Sequence, residues 1–498
     1  MKDKVVLLYP SYPGPPLGPP LSLLALASPL LGAGFRVSVV DCVLERDVEG
    51  TLAREIPEAL CVGISFLTGP MIRGAVALSG LARRLRPDVP VVFGGWHASL
   101  MPEQTLASGL ADIVARGQGE RTLLEVASCL REGRTTDTLA GISFRSPQRA
   151  VHNPDRRPEN INDLPSPAFS LADFDAYERA TGERKLPFAT SLGCPYACNY
   201  CTDQVFYSRR FNAYPARRVV EEVTALVSRY RLREVALVDS NFLVDVRRAV
   251  DIAAGFLDSP LRFAWTFQAS TDLLCRMSDD EVCLLGRSGV RHMGFGTESA
   301  APDVLARMNK RHQRVGDMFE TARKAEKAGI GVTFNLILGY PGETEADRLQ
   351  TFRVMSEISR RHANVRFSPN IFTPYPGIPI WPELEALGVR RPGSLEDWAR
   401  VGLGSNHLPW LGGDELRRLR RMLEYFLLQS HIRRVAPGRP RWRDGLRRAM
   451  GAALGWRLRK NQFAVPWELW MSRAAKRLVA RRSLLTGTAL ARSVREVC

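Results

Sequence analysis

Short apolar runs alternate with helical stretches along the first 145 residues, and this alternation restricts the fold more than any other feature of the chain. Five runs have the length and composition of buried strands, at residues 5–9, 36–41, 61–65, 91–93 and 112–115. The stretches between them carry apolar residues at helical spacing. The pattern predicts an α/β fold with a doubly wound parallel sheet over residues 1–145, in which ligands bind at the carboxyl ends of the strands.

A second series of the same kind begins at Leu186. It contains six predicted strands, at residues 188–191, 234–239, 262–268, 291–296, 331–338 and 364–372. Six strands predict a partial (β/α)6 barrel over residues 186–380, because a full barrel has eight. Residues 146–185 are rich in Pro, Asn, Asp and Arg and are predicted to be a linker. Residues 381–498 are predicted to form a mainly helical, Arg-rich C-terminal domain.

The net charge of +17 is concentrated near the end of the chain. From Asp414 to Cys498 there are 21 basic and 6 acidic residues, a net charge of +15, so the other 413 residues carry about +2. Three interpretations of this basic region are open. It could be a helical cap with a solvated arginine face, a surface for an anionic membrane or an acidic partner, or a nucleic-acid site. The last is disfavoured because no nucleic-acid-binding module is recognisable.

Three of the nine cysteines lie within eight positions. Cys194, Cys198 and Cys201 have the spacing CxxxCxxC in a loop that follows a predicted strand. Three thiolates can bind three irons of a [4Fe–4S] cluster and leave the fourth iron open. A zinc site with a remote fourth ligand is the alternative. A metal site in a chain otherwise poor in cysteine, with no convincing export or membrane-spanning segment, predicts a cytoplasmic protein.

This spacing, with Tyr200 directly before the last cysteine, resembles the radical S-adenosylmethionine (SAM) superfamily over residues 186–380. The resemblance implies that the three cysteines hold a [4Fe–4S] cluster whose open iron binds SAM. It also implies one-electron cleavage of SAM to a 5′-deoxyadenosyl radical, with the electron supplied by a donor such as flavodoxin or ferredoxin.

Three later segments fit the same resemblance, at residues 238–242, at 294–299 followed by 308–310, and at 338–344. Each alone is a weak signal that is typical of a tight turn. In this order after the cysteines, they imply catalytic roles for Tyr200, Asp239 and Glu298. They also imply SAM contacts from a second set of residues: Asn241, Gly296, Ser299, Gly339, Pro341 and Gly342.

Two glycine-containing segments follow strands of the first domain, and paired glycines let a bulky ligand approach the backbone. Gly94-Gly95-Trp96-His97 and Gly117-Gln118-Gly119-Glu120 resemble the cobalamin-binding domain that precedes the radical SAM domain in one large subfamily. The resemblance implies cobalamin contacts from eight residues: Ser65, Thr68, Gly94, Gly95, His97, Gly117, Gly119 and Glu120.

The cobalt itself is expected to have no protein histidine ligand. Residues 9–14 read Tyr-Pro-Ser-Tyr-Pro-Gly, without the Asp-x-His-x-x-Gly motif of cobalamin proteins that use one. His97 is expected to pack near the ligand or at the domain interface, with ligation of cobalt as the alternative. Loss of cobalamin from this domain is a further alternative.

The combined resemblance is to the cobalamin-binding radical SAM group that contains class B methyltransferases and anaerobic cyclases. It implies methylation of an unactivated carbon of a small molecule, in which one SAM methylates cobalamin and a second yields the radical. An oxidative cyclase or rearrangement enzyme without net methyl transfer is the second hypothesis. A non-enzymatic iron–sulfur or cobalamin sensor is the third. The partners expected are a small-molecule substrate and the electron donor, with a membrane surface or acidic partner at the C-terminal region as the alternative to a solvated helical cap.

Overall fold

The computed structural model describes residues 2–471, except for residues 15, 147–148, 403–407, 434–449, 455, 458–459, 461 and 463–465. The arginine pairs at 433–434, 447–448 and 481–482 and Trp442, which belong to the predicted basic region, therefore fall wholly or partly outside the described residues. No helix among those described is long and apolar enough to cross a bilayer.

The N-terminal domain is a seven-stranded sheet with the strand order β2-β1-β3-β4-β5-β6-β7. The strands are β1 (Lys4–Tyr9), β2 (Arg36–Asp41), β3 (Ala59–Ser65), β4 (Val91–Gly94), β5 (Ile113–Ala115), β6 (Ile142–Arg145) and β7 (Ala150–His152). The helices are α1 (Leu21–Gly32), α2 (Val48–Glu55), α3 (Met71–Leu85), α4 (Gly95–Leu100), α5 (Pro102–Ala107) and α6 (Glu120–Arg131).

The first five strands are parallel, which confirms the predicted doubly wound sheet. The middle residues of β1, β3, β4 and β5 are buried on both faces, as in β3, where only Leu60 is not fully buried, whereas the edge strand β2 is mostly half-buried. Burial on both faces is the reason that these strands read as apolar runs rather than as alternating patterns. The sheet also contains β6 and β7, an antiparallel hairpin on the edge of β5. The strand β7 lies within the predicted linker, so the sheet extends beyond residue 145.

After the short helix α7 (Phe174–Thr181), the second domain forms a six-stranded, all-parallel sheet in the order β15-β14-β13-β12-β11-β8. This confirms the partial barrel. Its strands, with the two-stranded ribbon β9–β10, are β8 (Lys185–Phe188), β9 (Ser191–Leu192), β10 (Asn212–Ala213), β11 (Glu234–Leu237), β12 (Ala264–Ala269), β13 (Val290–Glu298), β14 (Gly331–Leu338) and β15 (Val365–Ile371). Its helices are α8 (Asp203–Phe206), α9 (Ala216–Tyr230), α10 (Val246–Asp258), α11 (Thr271–Arg276), α12 (Asp279–Arg287), α13 (Pro302–Arg307), α14 (Val315–Lys327) and α15 (Glu345–Arg361).

The segment after the barrel contains α16 (Trp381–Ala386), α17 (Leu395–Trp398) and α18 (Gly413–Arg433), and it returns to the N-terminal domain. The Trp398 indole donates a 2.8 Å hydrogen bond to Gln104 Oε1, and the Gln104 amide donates a 2.9 Å bond to the Pro392 carbonyl. The Trp398 side chain is fully buried. These contacts fix how the two sheets face each other.

Candidate active site

The cysteine loop leaves β9 through Gly193, which has a φ of +78°. A Cβ at this position would lie 2.0 Å from the Arg210 carbonyl oxygen and 2.9 Å from Tyr207 Cβ. Only glycine accommodates both the left-handed backbone and this close approach. The turn therefore directs Cys194 away from the strand and into the barrel.

The three cysteine thiols lie close enough to influence one another. Burial, together with the charges of Asp203, Cys198 and Cys194, raises the pKa of Cys201 to about 12. Burial also raises the pKa of Cys198, whereas the nearby Lys310 ammonium acts to lower it. In the described part of the chain, no three His, Cys, Asp or Glu side chains stand close enough together to hold one metal ion. A [4Fe–4S] cluster needs a different arrangement, because each thiolate binds a separate iron. The donor set of three thiols beside a cation fits such a cluster.

Asn199, between the second and third cysteines, fastens the loop to the barrel, a role that no pattern in the sequence predicted. Its backbone N–H donates to the Met308 carbonyl at 3.1 Å, and its Oδ1 accepts a 2.7 Å bond from the Tyr340 hydroxyl. In return, the Asn309 amide donates a 2.7 Å bond to the Ala197 carbonyl. The predicted SAM segments after β13 and β14 thus hold the cysteine loop in place.

Asp239, predicted to be catalytic, is hydrogen-bonded to other residues of the protein. Its buried carboxylate accepts a 2.7 Å bond from the Thr190 N–H, a 2.5 Å bond from the Thr190 hydroxyl, and a bond from the Ser191 hydroxyl. Arg248 stabilises the same turn by donating to the Thr190 carbonyl at 2.9 Å. Because these donors occupy the carboxylate, the structure places Asp239 as a support for the start of the cysteine loop.

Asn241 lies nearer to the cysteines. Its amide nitrogen is 4.0 Å from Cys194 Sγ and 3.2 Å from the Ser270 hydroxyl. Its Oδ1 is buried and has no hydrogen-bond partner among the described residues. A buried acceptor without a partner costs about 1–3 kcal/mol unless a ligand satisfies it. Asn241 therefore fits the SAM-binding role expected for it.

Glu298 and Tyr200, the other two residues predicted to be catalytic, meet at the cysteine loop. The Tyr200 hydroxyl donates a 2.9 Å bond to Glu298 Oε1, and Lys310 Nζ lies 3.7 Å from the same oxygen. Glu298 has a φ of +59°, and a Cβ at Gly296 would lie 2.5 Å from its Oε1. Gly296 thus leaves the space that the Glu298 side chain occupies. Lys310 was absent from the predicted site, although the segment that contains it was part of the resemblance.

The remaining predicted SAM residues form tight turns at the ends of β13 and β14. The Ser299 hydroxyl accepts a 3.1 Å bond from the Ala301 N–H and lies 3.2 Å from the Thr351 hydroxyl, so it is oriented towards α15. Gly339 and Gly342 have φ values of +73° and +72° and flank Pro341. The Trp410 indole covers this turn by donating a 3.1 Å bond to the Gly339 carbonyl.

A cavity of about 420 Å³ separates the two domains. Six of the predicted cobalamin residues line it: Ser65, Gly94, Gly95, Gly117, Gly119 and Glu120. The opposite wall includes Ser191 and Leu192, which directly precede the cysteine loop. Leu67 and Val238 also line the cavity, one from each domain, and both side chains are about half exposed. Small and apolar residues on both walls fit a flat, bulky ring system.

Thr68 and His97, predicted with the same group, do not line this cavity. The Thr68 hydroxyl is 2.9 Å from His97 Nδ1, and the buried imidazole packs 5.8 Å from the Trp398 ring and 5.9 Å from the Phe66 ring. Burial lowers the pKa of His97 to about 4. The two residues bond to each other within the interface with the segment after the barrel, so His97 occupies one of the two positions expected for it, at a domain interface. Contacts of Thr68 and His97 with cobalamin stay a prediction.

Two aromatic side chains that no sequence pattern predicted to be functional join the domains at the cavity wall. Trp96, which follows Gly95, stacks on Phe206 of α8 with 4.7 Å between ring centroids and 9° between ring planes. Both rings line the cavity. Because α8 directly follows Cys201, this stack links the cavity to the cysteine loop.

Both domains match known families. Residues 189–355 match the Radical SAM superfamily and residues 15–127 match the B12 binding domain. An uncharacterized methyltransferase of Pyrococcus horikoshii is 29% identical over 73% of this chain and 78% of its own length. An anaerobic magnesium-protoporphyrin IX monomethyl ester cyclase of Rubrivivax gelatinosus is 23% identical, over 74% of this chain and 66% of its own. The hopanoid C-3 methylase of Methylococcus capsulatus is 24% identical over 73% of this chain and 68% of its own length.

Solved structures show the same arrangement of domains. The radical SAM methyltransferase TsrM of Kitasatospora setae, with cobalamin and a [4Fe–4S] cluster bound, has a TM-score of 0.68 at 21% identity, and the match covers 79% of this chain and 76% of TsrM. The cobalamin-dependent radical SAM enzyme OxsB, with aqua-cobalamin and SAM bound, has a TM-score of 0.73 at 16% identity. This match covers 91% of this chain and 71% of OxsB. The chain therefore contains a Radical SAM domain at residues 189–355 that is preceded by a B12 binding domain at residues 15–127.

Proposed function

We propose that this chain is a cobalamin-dependent radical SAM methyltransferase that methylates an unactivated carbon of a small molecule. The observation that carries this proposal is the cavity between the domains. One of its walls is built from the strand ends of the B12-binding domain, and the other leads through Ser191 and Leu192 into the cysteine loop. A substrate in this space is within reach of both cofactor sites.

When bound, the [4Fe–4S] cluster with SAM supplies a hydrogen-abstracting radical, and cobalamin supplies a methyl group. The protein's own residues place these groups. Cys194, Cys198 and Cys201 would hold the cluster, and Asn241 offers its unpaired Oδ1 to SAM. Lys310 places a positive charge beside the thiols. Burial acts to lower its pKa, but the charges of Glu298 and of the three cysteines raise it above the ordinary value.

Exclusion of water is a second task of the cavity walls. The Trp96–Phe206 stack and the side chains of Leu67 and Val238 present apolar surface to the space between the domains. A dry cavity prevents a reactive substrate group from being consumed by solvent. The substrate class that fits is a small, largely apolar molecule, held where the two domains face each other.

We also propose a small one-electron donor protein such as flavodoxin or ferredoxin as a partner, since reductive cleavage of SAM requires an external electron. The proposed location is the cytoplasm.

The test is anaerobic reconstitution of the full chain, followed by counting of iron and cobalamin per chain. The reconstituted protein is then given a chemical reductant and SAM with a deuterated methyl group, without substrate. We expect four irons, one cobalamin, release of 5′-deoxyadenosine and deuterated methyl recovered with the cobalamin. Absence of both deoxyadenosine and label would contradict the assignment.

The second candidate function is an oxidative cyclase, and the similarity to an anaerobic cyclase favours it. Both functions use the same cysteines and the same cavity. The experiment above separates them, because a cyclase cleaves SAM without transferring its methyl group. Release of deoxyadenosine with no label on cobalamin would therefore support the cyclase.

A further inference from the structure

The short helix at residues 467–471 directs its large apolar side chains outward. Trp467, Trp470 and Met471 are 43%, 56% and 51% exposed, whereas Glu468 and Leu469 between them are buried. Positions i, i+3 and i+4 share one side of a helix. The three exposed side chains therefore form one surface, which we call the indole face. A helix that only faces water has the opposite arrangement, with its polar side outward.

Buried polar contacts fix this orientation. Glu468 Oε2 accepts a 2.9 Å hydrogen bond from the Tyr425 hydroxyl of α18, and the Arg457 guanidinium donates to Glu468 Oε1. The side chain of Glu468 is only 3% exposed. Rotation of the helix to bury its indoles would expose these contacts and leave the Tyr425 hydroxyl without its acceptor. The outward position of the indoles is thus built into the packing.

A second exposed indole-bearing segment lies next to this helix. Trp456 is 50% exposed and directly precedes Arg457, whose guanidinium is 5.8 Å from the centroid of the Trp467 ring. The surrounding sequence is strongly basic, with 21 Lys and Arg against 6 Asp and Glu from Asp414 to Cys498. Exposed indoles within a basic sequence combine the two properties that bind an anionic membrane surface.

We infer that the indole face docks on the surface of an anionic lipid bilayer. The indoles enter the headgroup region, where an amphipathic ring has one side in apolar surroundings and its N–H in water. The arginines of the region pair with lipid phosphates. A second copy of the chain is disfavoured as the occupant, because a region with a net charge of +15 repels its own copy. This inference concerns location and does not depend on the proposed reaction.

The test is flotation of the full-length chain with vesicles of phosphatidylcholine alone, or of an equal mixture of phosphatidylcholine and phosphatidylglycerol. We expect flotation with the anionic vesicles only, and weaker flotation as salt is raised. The double variant Trp467→Ala/Trp470→Ala should lower the partition coefficient by about tenfold or more. The matched control is Leu387→Ala, because Leu387 is an exposed apolar residue after α16. It should partition as the original chain does.

Thermal unfolding shows whether the double variant is folded, and its midpoint should match that of the original chain, since both indoles are exposed. A second measurement uses brominated lipids, which should quench the tryptophan fluorescence of the original chain more than that of Trp467→Phe/Trp470→Phe. Equal flotation of the double variant, or equal binding to neutral vesicles, would overturn the inference. So would a dimer in the absence of vesicles that the double variant abolishes, because a second copy would then cover the face.

Discussion

Lys310 Nζ lies 3.7 Å from Glu298 Oε1, and both side chains are less than 10% exposed. The pair lies beside the cysteine loop, where the Tyr200 hydroxyl donates to the same carboxylate oxygen. Glu298 holds a left-handed backbone, which is uncommon for a residue with a long side chain. The ion pair with Lys310 and the bond from Tyr200 keep Glu298 in this conformation.

Removal of one partner of this ion pair should destabilise the barrel strongly. We expect Lys310→Met to lower the free energy of unfolding by about 3–5 kcal/mol, because it leaves the Glu298 charge buried and unpaired. Chemical denaturation of the cofactor-free protein measures this. The double variant Lys310→Met/Glu298→Gln removes both charges and should recover most of the loss. Equal stability of the single and double variants would contradict this prediction, because the Glu298 charge without Lys310 would then have no cost.

Cys194→Ala should abolish cluster assembly and SAM cleavage, because a cluster loses one of its three protein ligands. The measurements are iron per chain and release of 5′-deoxyadenosine after anaerobic reconstitution. The matched control is Cys283→Ala, a partly buried free thiol of α12 that is remote in sequence from the cysteine loop. It should retain full iron content. Full SAM cleavage by Cys194→Ala would refute the assignment of the cysteine loop.

Gly95→Ala should disturb the wall of the cavity. Gly95 has a φ of +88°, and a Cβ there would lie 2.6 Å from the Phe66 carbonyl oxygen. Both the backbone conformation and the contact disfavour alanine, so we expect a loss of more than about 2 kcal/mol in stability and weaker cobalamin binding. Equilibrium dialysis with cobalamin and thermal unfolding measure the two effects.

Gly117→Ala is the matched control for Gly95→Ala, since Gly117 lines the same cavity with a φ of +71° but has open space where its Cβ would lie. Only the backbone penalty of about 1–2 kcal/mol is expected there. Similar losses from both substitutions would show that the contact with Phe66 is unimportant.

The buried carboxyl of Glu343 should make stability depend on pH. Burial raises its pKa to about 7, above the ordinary 4.5, although Arg348 at 3.3 Å favours the charged form. The folded state therefore binds a proton more tightly than the unfolded state between about pH 4.5 and 7. Its contribution to stability falls as pH rises through this window, by about 1–3 kcal/mol.

Glu343→Gln tests this, because glutamine is neutral at every pH. As the pH is raised from about 5.5 to about 8, the unfolding midpoint of the variant should rise relative to that of the original chain. A difference that stays constant over this range would show that Glu343 keeps an ordinary pKa in the folded chain.

Local patterns in the sequence were sufficient for the parallel strands of both sheets, although not for the hairpin β6–β7, and they predicted the chemistry of the cysteines. Strands buried on both faces are visible in the sequence as apolar runs. The residues that follow Cys61–Ser65 and Val91–Gly94 predicted a ligand-binding edge of the sheet. The spacing of Cys194, Cys198 and Cys201 predicted a three-thiolate cluster site. These features depend on neighbours in the chain, so a single sequence contains them.

Tertiary packing decided which polar residues face a ligand and which support the protein. Asp239 bonds to Thr190 and Ser191, and His97 bonds to Thr68, because strands distant in sequence bring those hydroxyls together. Lys310 belongs to the site because the fold places its turn beside the cysteine loop. The cavity exists because two sheets face each other across the Trp96–Phe206 stack. Such contacts between distant segments have no local pattern, and therefore only the folded chain reveals them.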